Sequence, residues 1–350
     1  MTVLKDICVN KGKQGLEAKA LDCGDTALLR ITDINNDGSI GDLMYTNSEK
    51  ASNYLLREND IVFARTGNNI WKNYFYDNRD GEIAYASFLI RFSLDPQKVN
   101  PRYIKYYCQS NTFREWIRKY SHEHTRSHIN ISTYELMPID LPERDKQDEI
   151  VKKLDNIEEL KRIKKETNKL LYKQVELYYD KIFNKSYKTG AIKDLAKIIA
   201  GRPHKTLANG NIPCFSSGGI IRTVDKAICE KTSVLIPRKG SLNNIMYIQD
   251  PFWAGDTMFY TMSNIEGALP YIYITLKRID LTKYNSGSSI PSLTKEGINA
   301  INFPIPSYEE LNVFYQKVEP IFSIIKINQQ IVKQLQNYIL NGTSSWQSKQ

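Results

Sequence analysis

Apolar residues recur at steps of three and four along two long stretches of this chain. In the first, from about Pro142 to Asn184, they are Ile150, Leu154, Ile157, Leu160, Ile163, then Leu170, Leu171, Val175, Tyr178 and Ile182. This is a helical period, and no Gly or Pro interrupts it. The positions between are dense in Lys and Glu, as in Glu158-Glu159-Leu160-Lys161-Arg162. The second stretch, from Tyr308 to Leu340, carries Leu311, Phe314, Val318, Ile321, Ile324 or Ile325, Ile331, Leu335 and Ile339. Pro320 inside it predicts a kink or a break, and Asn341-Gly342 predicts its end. Helices of about 35–40 residues span roughly 50–60 Å. That is too long for a small globular core, so the two are expected to bury their stripes against each other as a coiled coil.

The stretches before each helix, residues 1–141 and 187–305, are rich in Tyr, Ile, Val, Thr, Asn and Gly. Short apolar runs are separated by turn signals such as Asn36-Asp37-Gly38, Asp80-Gly81 and Asn209-Gly210. Ile61–Ala64, Ser233–Ile236 and Tyr271–Ile274 are read as strands. Both stretches are therefore expected to be mixed α/β and mostly β.

An order of mixed domain, helix, mixed domain, helix asks for an internal repeat. Asp60-Ile61-Val62-Phe63-Ala64-Arg65-Thr66-Gly67 lies over Ser233-Val234-Leu235-Ile236-Pro237-Arg238-Lys239-Gly240, each followed by an Asn-rich turn. Pro101-Arg102-Tyr103-Ile104 is similar to Pro270-Tyr271-Ile272-Tyr273, and Ile139-Asp140-Leu141-Pro142 to Phe303-Pro304-Ile305-Pro306. Ile150, Leu154, Ile157, Leu160, Leu171 and Val175 fall on Phe314, Val318, Ile321, Ile324, Leu335 and Ile339. The fold class expected is α+β. Two tandem domains, 1–142 and 187–306, are separated by helices at 143–186 and 307–345 that form an antiparallel coiled coil with pseudo-two-fold symmetry. Like domains at opposite ends of a rod match a duplex target with two half-sites.

Composition adds limits. The chain of 350 residues is 41% hydrophobic and 25% charged, enough to build sizeable cores. No apolar run approaches the roughly 18 residues that span a bilayer, and Met1–Asp6 lacks the apolar segment of a secretory signal. Five scattered cysteines without a CxxC read as reduced thiols, so a cytoplasmic protein is expected. The net charge is +9 and uneven: residues 1–142 hold 18 basic and 18 acidic groups, and residues 186–306 hold 14 against 8. An excess of this size is compatible with nucleic-acid binding without identifying it.

With these features the sequence resembles the specificity (S) subunits of type I restriction–modification enzymes over nearly its whole length. The residues that carry the resemblance are Asp60–Gly67; Trp253-Ala254-Gly255-Asp256-Thr257 before Tyr260; Ser286-Gly287-Ser288-Ser289-Ile290-Pro291-Ser292-Leu293; and Phe303-Pro304-Ile305-Pro306 with Glu309-Glu310. The first half carries Ser127-His128-Ile129-Asn130-Ile131-Ser132 and Leu141-Pro142-Glu143 instead, without a Ser-Gly-Ser loop. The resemblance implies a bacterial or archaeal DNA-reading subunit. Each recognition domain would read half of a bipartite asymmetric site, and the helices would set the spacing and dock two modification (M) subunits. S-adenosylmethionine and adenine N6 methylation would belong to M, and ATP and Mg to restriction (R) subunits where present. The alternatives are a related methyltransferase or nuclease system lacking a motor subunit, and a coiled-coil protein adaptor.

The chemistry on the chain agrees with a non-catalytic role. There is no Asn/Asp-Pro-Pro-Tyr/Phe tetrapeptide to hold a flipped adenine and no P-loop. His122, His124 and His128 include an i, i+4 pair, yet no further metal ligand is evident beyond Glu123, so no metal is expected. Arg and Lys suit guanine, and Asn and Gln suit adenine. The DNA-binding candidates are accordingly Arg65, Thr66, Asn68, Asn69 and Lys72, with Arg126, His128 and Asn130, in the first half. In the second they are Arg238, Lys239, Ser241, Asn243 and Asn244, with Ser286, Ser288 and Ser289. Turn-forming Asn and Gly would occupy such loops with or without DNA. The coiled-coil candidates are Ile150, Leu154, Ile157, Leu160, Leu171, Val175, Phe314, Val318, Ile321, Leu335 and Ile339.

Overall fold

The structure is a computed structural model, and it describes residues 2–67, 70–121 and 128–347. The chain forms two compact units, one reaching to Lys164 and joined by the chain from Gln330 on, the other Lys165–Gln329.

The first unit contains β1 (Thr2–Val3), β2 (Lys13–Gln14), β3 (Thr26–Leu29), β4 (Met44–Thr46), β5 (Asp60–Ala64), β6 (Asn73–Phe75), β7 (Ile83–Tyr85) and β8 (Leu89–Ser93). Then follow α1 (Pro101–Tyr107), α2 (Asn111–Ser121), α3 (Ile131–Glu135), β9 (Pro138–Ile139) and the start of α4 (Arg144–Ile182). The sheets are β2-β8-β5-β6, β4-β3-β7 and the pair β1-β9. The central strand β5 is buried at every position. Its inner face meets a cluster built from Phe63, Ile90, Phe92, Ile104, Phe113 and Tyr134, onto which Ile150, Leu154 and Ile339 of the long helices also pack.

The second unit repeats this plan. β10 (Thr189–Gly190), β11 (Lys197–Ala200), β12 (Ile212–Ser216), β13 (Gly219–Val224), β14 (Ser233–Pro237), β15 (Met246–Ile248), β16 (Trp253–Ala254) and β17 (Met258–Met262) precede α5 (Ala268–Lys277), α6 (Lys295–Asn299), β18 (Phe303–Pro304) and α7 (Tyr308–Gln347). The sheet orders β11-β17-β14-β15, β13-β12-β16 and β10-β18 match those of the first unit strand for strand. Even the parallel pair recurs, as β3 with β7 and β12 with β16. The duplication is therefore one of topology as well as sequence.

Several expectations need correction. Tyr271–Ile274 is helical, inside α5, and is not a strand. Eight of the ten residues of α5 are buried, so the apolar run shows no polar face, and period alone does not separate such a helix from a buried strand. The suggested match of Pro101 to Pro270 also slips by one. Tyr103 Oη donates to Asp140 O at 3.0 Å and Tyr271 Oη to Pro304 O at 2.9 Å, so the two tyrosines correspond.

Pro320 does not break α7, and Asn341-Gly342 does not end it; the helix continues to Gln347. A proline removes one bond, to the carbonyl four residues before. That carbonyl belongs to Gln316, which is exposed like Pro320 itself, so water can satisfy it. Phe314, Val318, Ile321, Phe322 and Ile325 hold both sides of the proline onto the core. Pro320→Ala is therefore expected to stabilise this unit by up to about 3 kcal/mol, read as a higher midpoint in denaturant at unchanged m-value.

The helices run antiparallel within each unit. In the second, Tyr179 meets Phe314, Tyr172 meets Phe322, and Asn168 Oδ1 accepts from Asn328 Nδ2 at 2.8 Å. In the first, Lys161 Nζ bonds to Gln336 Oε1 and to Glu158 Oε1. Lys161 is only 3% exposed while Leu160 is 40% exposed. The buried stripe thus steps from Ile157 to Lys161, whose methylene stem fills the seam while its ammonium is paired. Leu171 is partly buried against the core of the second unit, and Leu335 is half-buried. Val175, Phe314, Val318 and Ile321 are buried in that core, where they meet α5 as well as the facing helix.

Candidate nucleic-acid interface

Each central strand runs off the sheet into Arg-x-Gly, and the backbone of that loop is tied to a second loop. In the first unit the Arg65 N–H donates to Phe88 O at 2.9 Å, the Ile129 N–H donates to Arg65 O at 3.0 Å, and Thr66 bridges His128. In the second unit the Arg238 N–H donates to Thr257 O at 2.8 Å, the Leu293 N–H to Arg238 O at 2.9 Å, and Lys239 bridges Ser292. Gly67 and Gly240 both lie at positive φ, +97° and +90°, where glycine alone turns without strain. The strand-end loop and the later loop, more than fifty residues apart in sequence, therefore form one junction, built the same way twice.

The side chains at these junctions divide into exposed and committed groups. In the first unit Arg65 Nε lies 3.4 Å from His128 Nε2, and Lys72 Nζ donates to Ile31 O at 3.3 Å. Asn130 caps α3, its Oδ1 accepting from the Thr133 N–H at 2.8 Å. Thr66 is half-buried. Asn68, Asn69 and Arg126 lie outside the described residues, as do His122 and His124.

In the second unit the Arg238 guanidinium stands 5.8 Å from the centre of the Phe259 ring. Asn243 uses both ends of its amide, donating to Asp280 Oδ1 at 3.0 Å and accepting from the Leu281 N–H at 2.8 Å. The bonds from Asn243 and Thr282 hold the Asp280 carboxyl below its usual range. Asn244 donates to Ser217 O at 2.8 Å, and Ser286 Oγ to Ser292 O at 3.1 Å. Lys239, Ser241, Ser288 and Ser289 are exposed. Asn285 shapes the serine loop by accepting from the N–H groups of Gly287 and Ser292. Several asparagines that match adenine chemically thus hold loop backbone instead, the role their turn propensity suggests.

A third loop joins the second unit's junction and was not singled out from sequence. The turn between β12 and β13, Ser216-Ser217-Gly218-Gly219, is the one Asn244 reaches, and a Cβ on Gly240 would stand 2.7 Å from Ser217 Oγ. Ile220, beside that turn, is 62% exposed. The signal was present as a Ser/Gly cluster between two strand-like runs, but its place beside the Arg-x-Gly loop depends on tertiary packing.

A doubled unit whose strand-end loops are joined in the same way invites comparison with known proteins. The family described as type I restriction modification DNA specificity domain matches twice, at residues 1–172 and 184–341. The chain belongs to this family. Among solved structures, it is similar to the S subunit of a type I restriction–modification system from M. genitalium, with 16% identity, 97% of this chain and 95% of that chain covered, and a TM-score of 0.52. It is also similar to the HsdS subunit from Thermoanaerobacter tengcongensis, with 13% identity over 97% and 93% of the two chains and a TM-score of 0.38. No curated protein matches the chain. As a type I specificity subunit with two copies of the specificity domain, its work is DNA sequence recognition. No helix among the described residues is long and apolar enough to cross a membrane.

Proposed function

We propose that each unit of this specificity subunit reads one half of a bipartite, asymmetric DNA site through its two-loop junction. The observation that carries this reading is the repetition of the junction itself: Thr66 with His128 in one unit and Lys239 with Ser292 in the other. Phosphate contacts position a protein on duplex DNA and base contacts specify the site, and these loops offer both kinds of donor. Residues 1–142 and 187–306 act as the recognition domains, with 143–186 and 307–345 as the helices that set the half-site spacing. The chain works without catalysis of its own in the cytoplasm of a bacterium or archaeon. Two M subunits carrying S-adenosylmethionine methylate adenine, and R subunits bring ATP and Mg where the system has them.

Apolar side chains on the outer faces of the helices support docking of M. In the second unit Leu170 and Leu177 of α4 are 69% and 61% exposed, and Val313, Ile324 and Ile327 of α7 are exposed too. Leu170 and Leu177 lie a heptad apart, opposite the buried stripe through Leu171 and Val175. Exposed apolar side chains grouped in this way mark interaction surfaces.

The test is DNA binding by the chain with M subunits across a salt series. One bipartite site should be bound, with an affinity that falls steeply as salt rises. Leu170→Glu with Leu177→Glu should weaken M association at least tenfold without lowering the unfolding midpoint. Methyl transfer by the isolated chain, or binding indifferent to sequence with M present, contradicts the proposal.

A further inference from the structure

The charge excess of residues 186–306 has a structural focus in the second unit. A cleft of about 550 Å³ opens beside its loop junction. The walls include Lys197 from β11, Arg238 and Lys239 from the strand-end loop, and Lys295 from α6, with Ser292 and Thr294 between them. Glu296 is the one carboxylate among the lining residues. Four cations against one anion leave a strong positive balance in a concave, solvent-open site, where the field of the protein is focused.

The first unit supplies an internal control, because the repeat fixes the corresponding positions. Gly15 N–H donates to Leu89 O and Gly201 N–H to Met258 O, which places Lys11 opposite Lys197. The bridges place Thr66 opposite Lys239. Asn130 and Thr294 each cap the short helix that follows, which places Ile131 opposite Lys295. Two of the four cations are therefore replaced by uncharged residues, and the same register puts Ser132 opposite Glu296, so the balance at these positions falls from +3 to +2. Ile131 moreover packs against the core of the first unit, and a Cβ on Gly12 would stand 3.0 Å from its Cγ2. An apolar side chain stands in the first unit where the second unit carries an exposed lysine.

We propose that this cleft is a clamp for the phosphodiester backbone of duplex DNA, in which Lys239 and Lys295 are the cations whose counterparts in the first unit, Thr66 and Ile131, are uncharged. The inference rests on the loop junctions being the DNA face of each unit. The second unit then supplies the larger share of the sequence-independent grip. Lys239 and Lys295 act as point charges on phosphate and carry no base preference.

The test uses the full chain and a labelled random-sequence duplex of about 30 base pairs, with binding measured over a salt series. For Lys239→Gln with Lys295→Gln, the slope of log K against log salt should fall by about 1.8, since each phosphate contact contributes about 0.9. The same variant with M subunits should select an unchanged recognition sequence. Substituting two exposed lysines outside the cleft, Lys226→Gln with Lys231→Gln, should leave the slope as it was. An unchanged slope in the first variant, an equal fall in the second, or an altered sequence preference overturns the clamp. If the first variant keeps its slope but loses binding of inorganic phosphate, the cleft is a site for free anions and the clamp is wrong. A wild-type chain whose DNA binding shows no salt dependence would instead overturn the underlying reading of the junctions.

Discussion

Phe63→Ala is expected to destabilise the first unit by about 3–5 kcal/mol, the range for truncating a buried phenylalanine. Phe63 is fully buried in the central strand β5. Its ring stacks on Tyr134 with centroids 4.8 Å apart and lies within 5.9 Å of Phe113 and Phe92. The three neighbouring aromatic rings cannot close such a gap without leaving their rotamers, so most of the cavity persists. Tyr134 also donates from Oη to Ala64 O at 2.8 Å, directly before Arg65. The loss therefore reaches the strand end that carries the first loop junction. Since a domain is stable by about 5–15 kcal/mol in all, this single change removes a large part of the margin. Denaturant unfolding should show it, together with weakened reading of one half-site. The corresponding residue of the second unit, Ile236, packs without such an aromatic stack, so Ile236→Val should cost only about 0.5–1.5 kcal/mol. A loss below about 1 kcal/mol for Phe63→Ala would show that the aromatic cluster does not hold the strand.

The second large effect is on specificity. Replacing residues 1–142 by the same segment of another specificity subunit should exchange one half of the methylated motif completely and leave the other half intact. The physical basis is that each unit builds its own sheets, core and junction. β1 pairs with β9 and β10 with β18, so each recognition unit is closed on itself before its chain enters a long helix. The two junctions share a backbone plan and differ in the later loop, with His128 in one and the exposed Ser288 and Ser289 in the other. Exchange should therefore move the reading with the side chains. A change in both halves, or in neither, contradicts modular reading.

Much of this was legible in the sequence because it rests on local periodicity and on repetition. The strands at Ile61–Ala64 and Ser233–Ile236, the two long helices and the order of repeated motifs all follow from short-range pattern. What escaped depends on tertiary surroundings. Tyr271–Ile274 reads as a strand until its burial on all sides, behind the left-handed Gly267 at its start, makes it a helix. Pro320 looks like a break until the packing on both sides of it is seen. The helix seam passes through Lys161, which no count of apolar positions selects, because its partners Glu158 and Gln336 are what make its burial tolerable. At the junctions, the sequence offered donors of suitable type, but not which of them are spent internally. Asn243 and Asn130 are committed to backbone, whereas Lys239 and Ser288 are exposed. The basic cleft was visible only as an unplaced excess of charge, since its four cations come from three separate segments.

The most direct test of the account is single-molecule sequencing of methylated bases in genomic DNA from cells with this chain, without it, and with its residues 1–142 exchanged. The account predicts that one bipartite adenine-methylated motif disappears with the chain and that the exchange alters one of its halves. A methylation pattern unchanged by loss of the chain would contradict it.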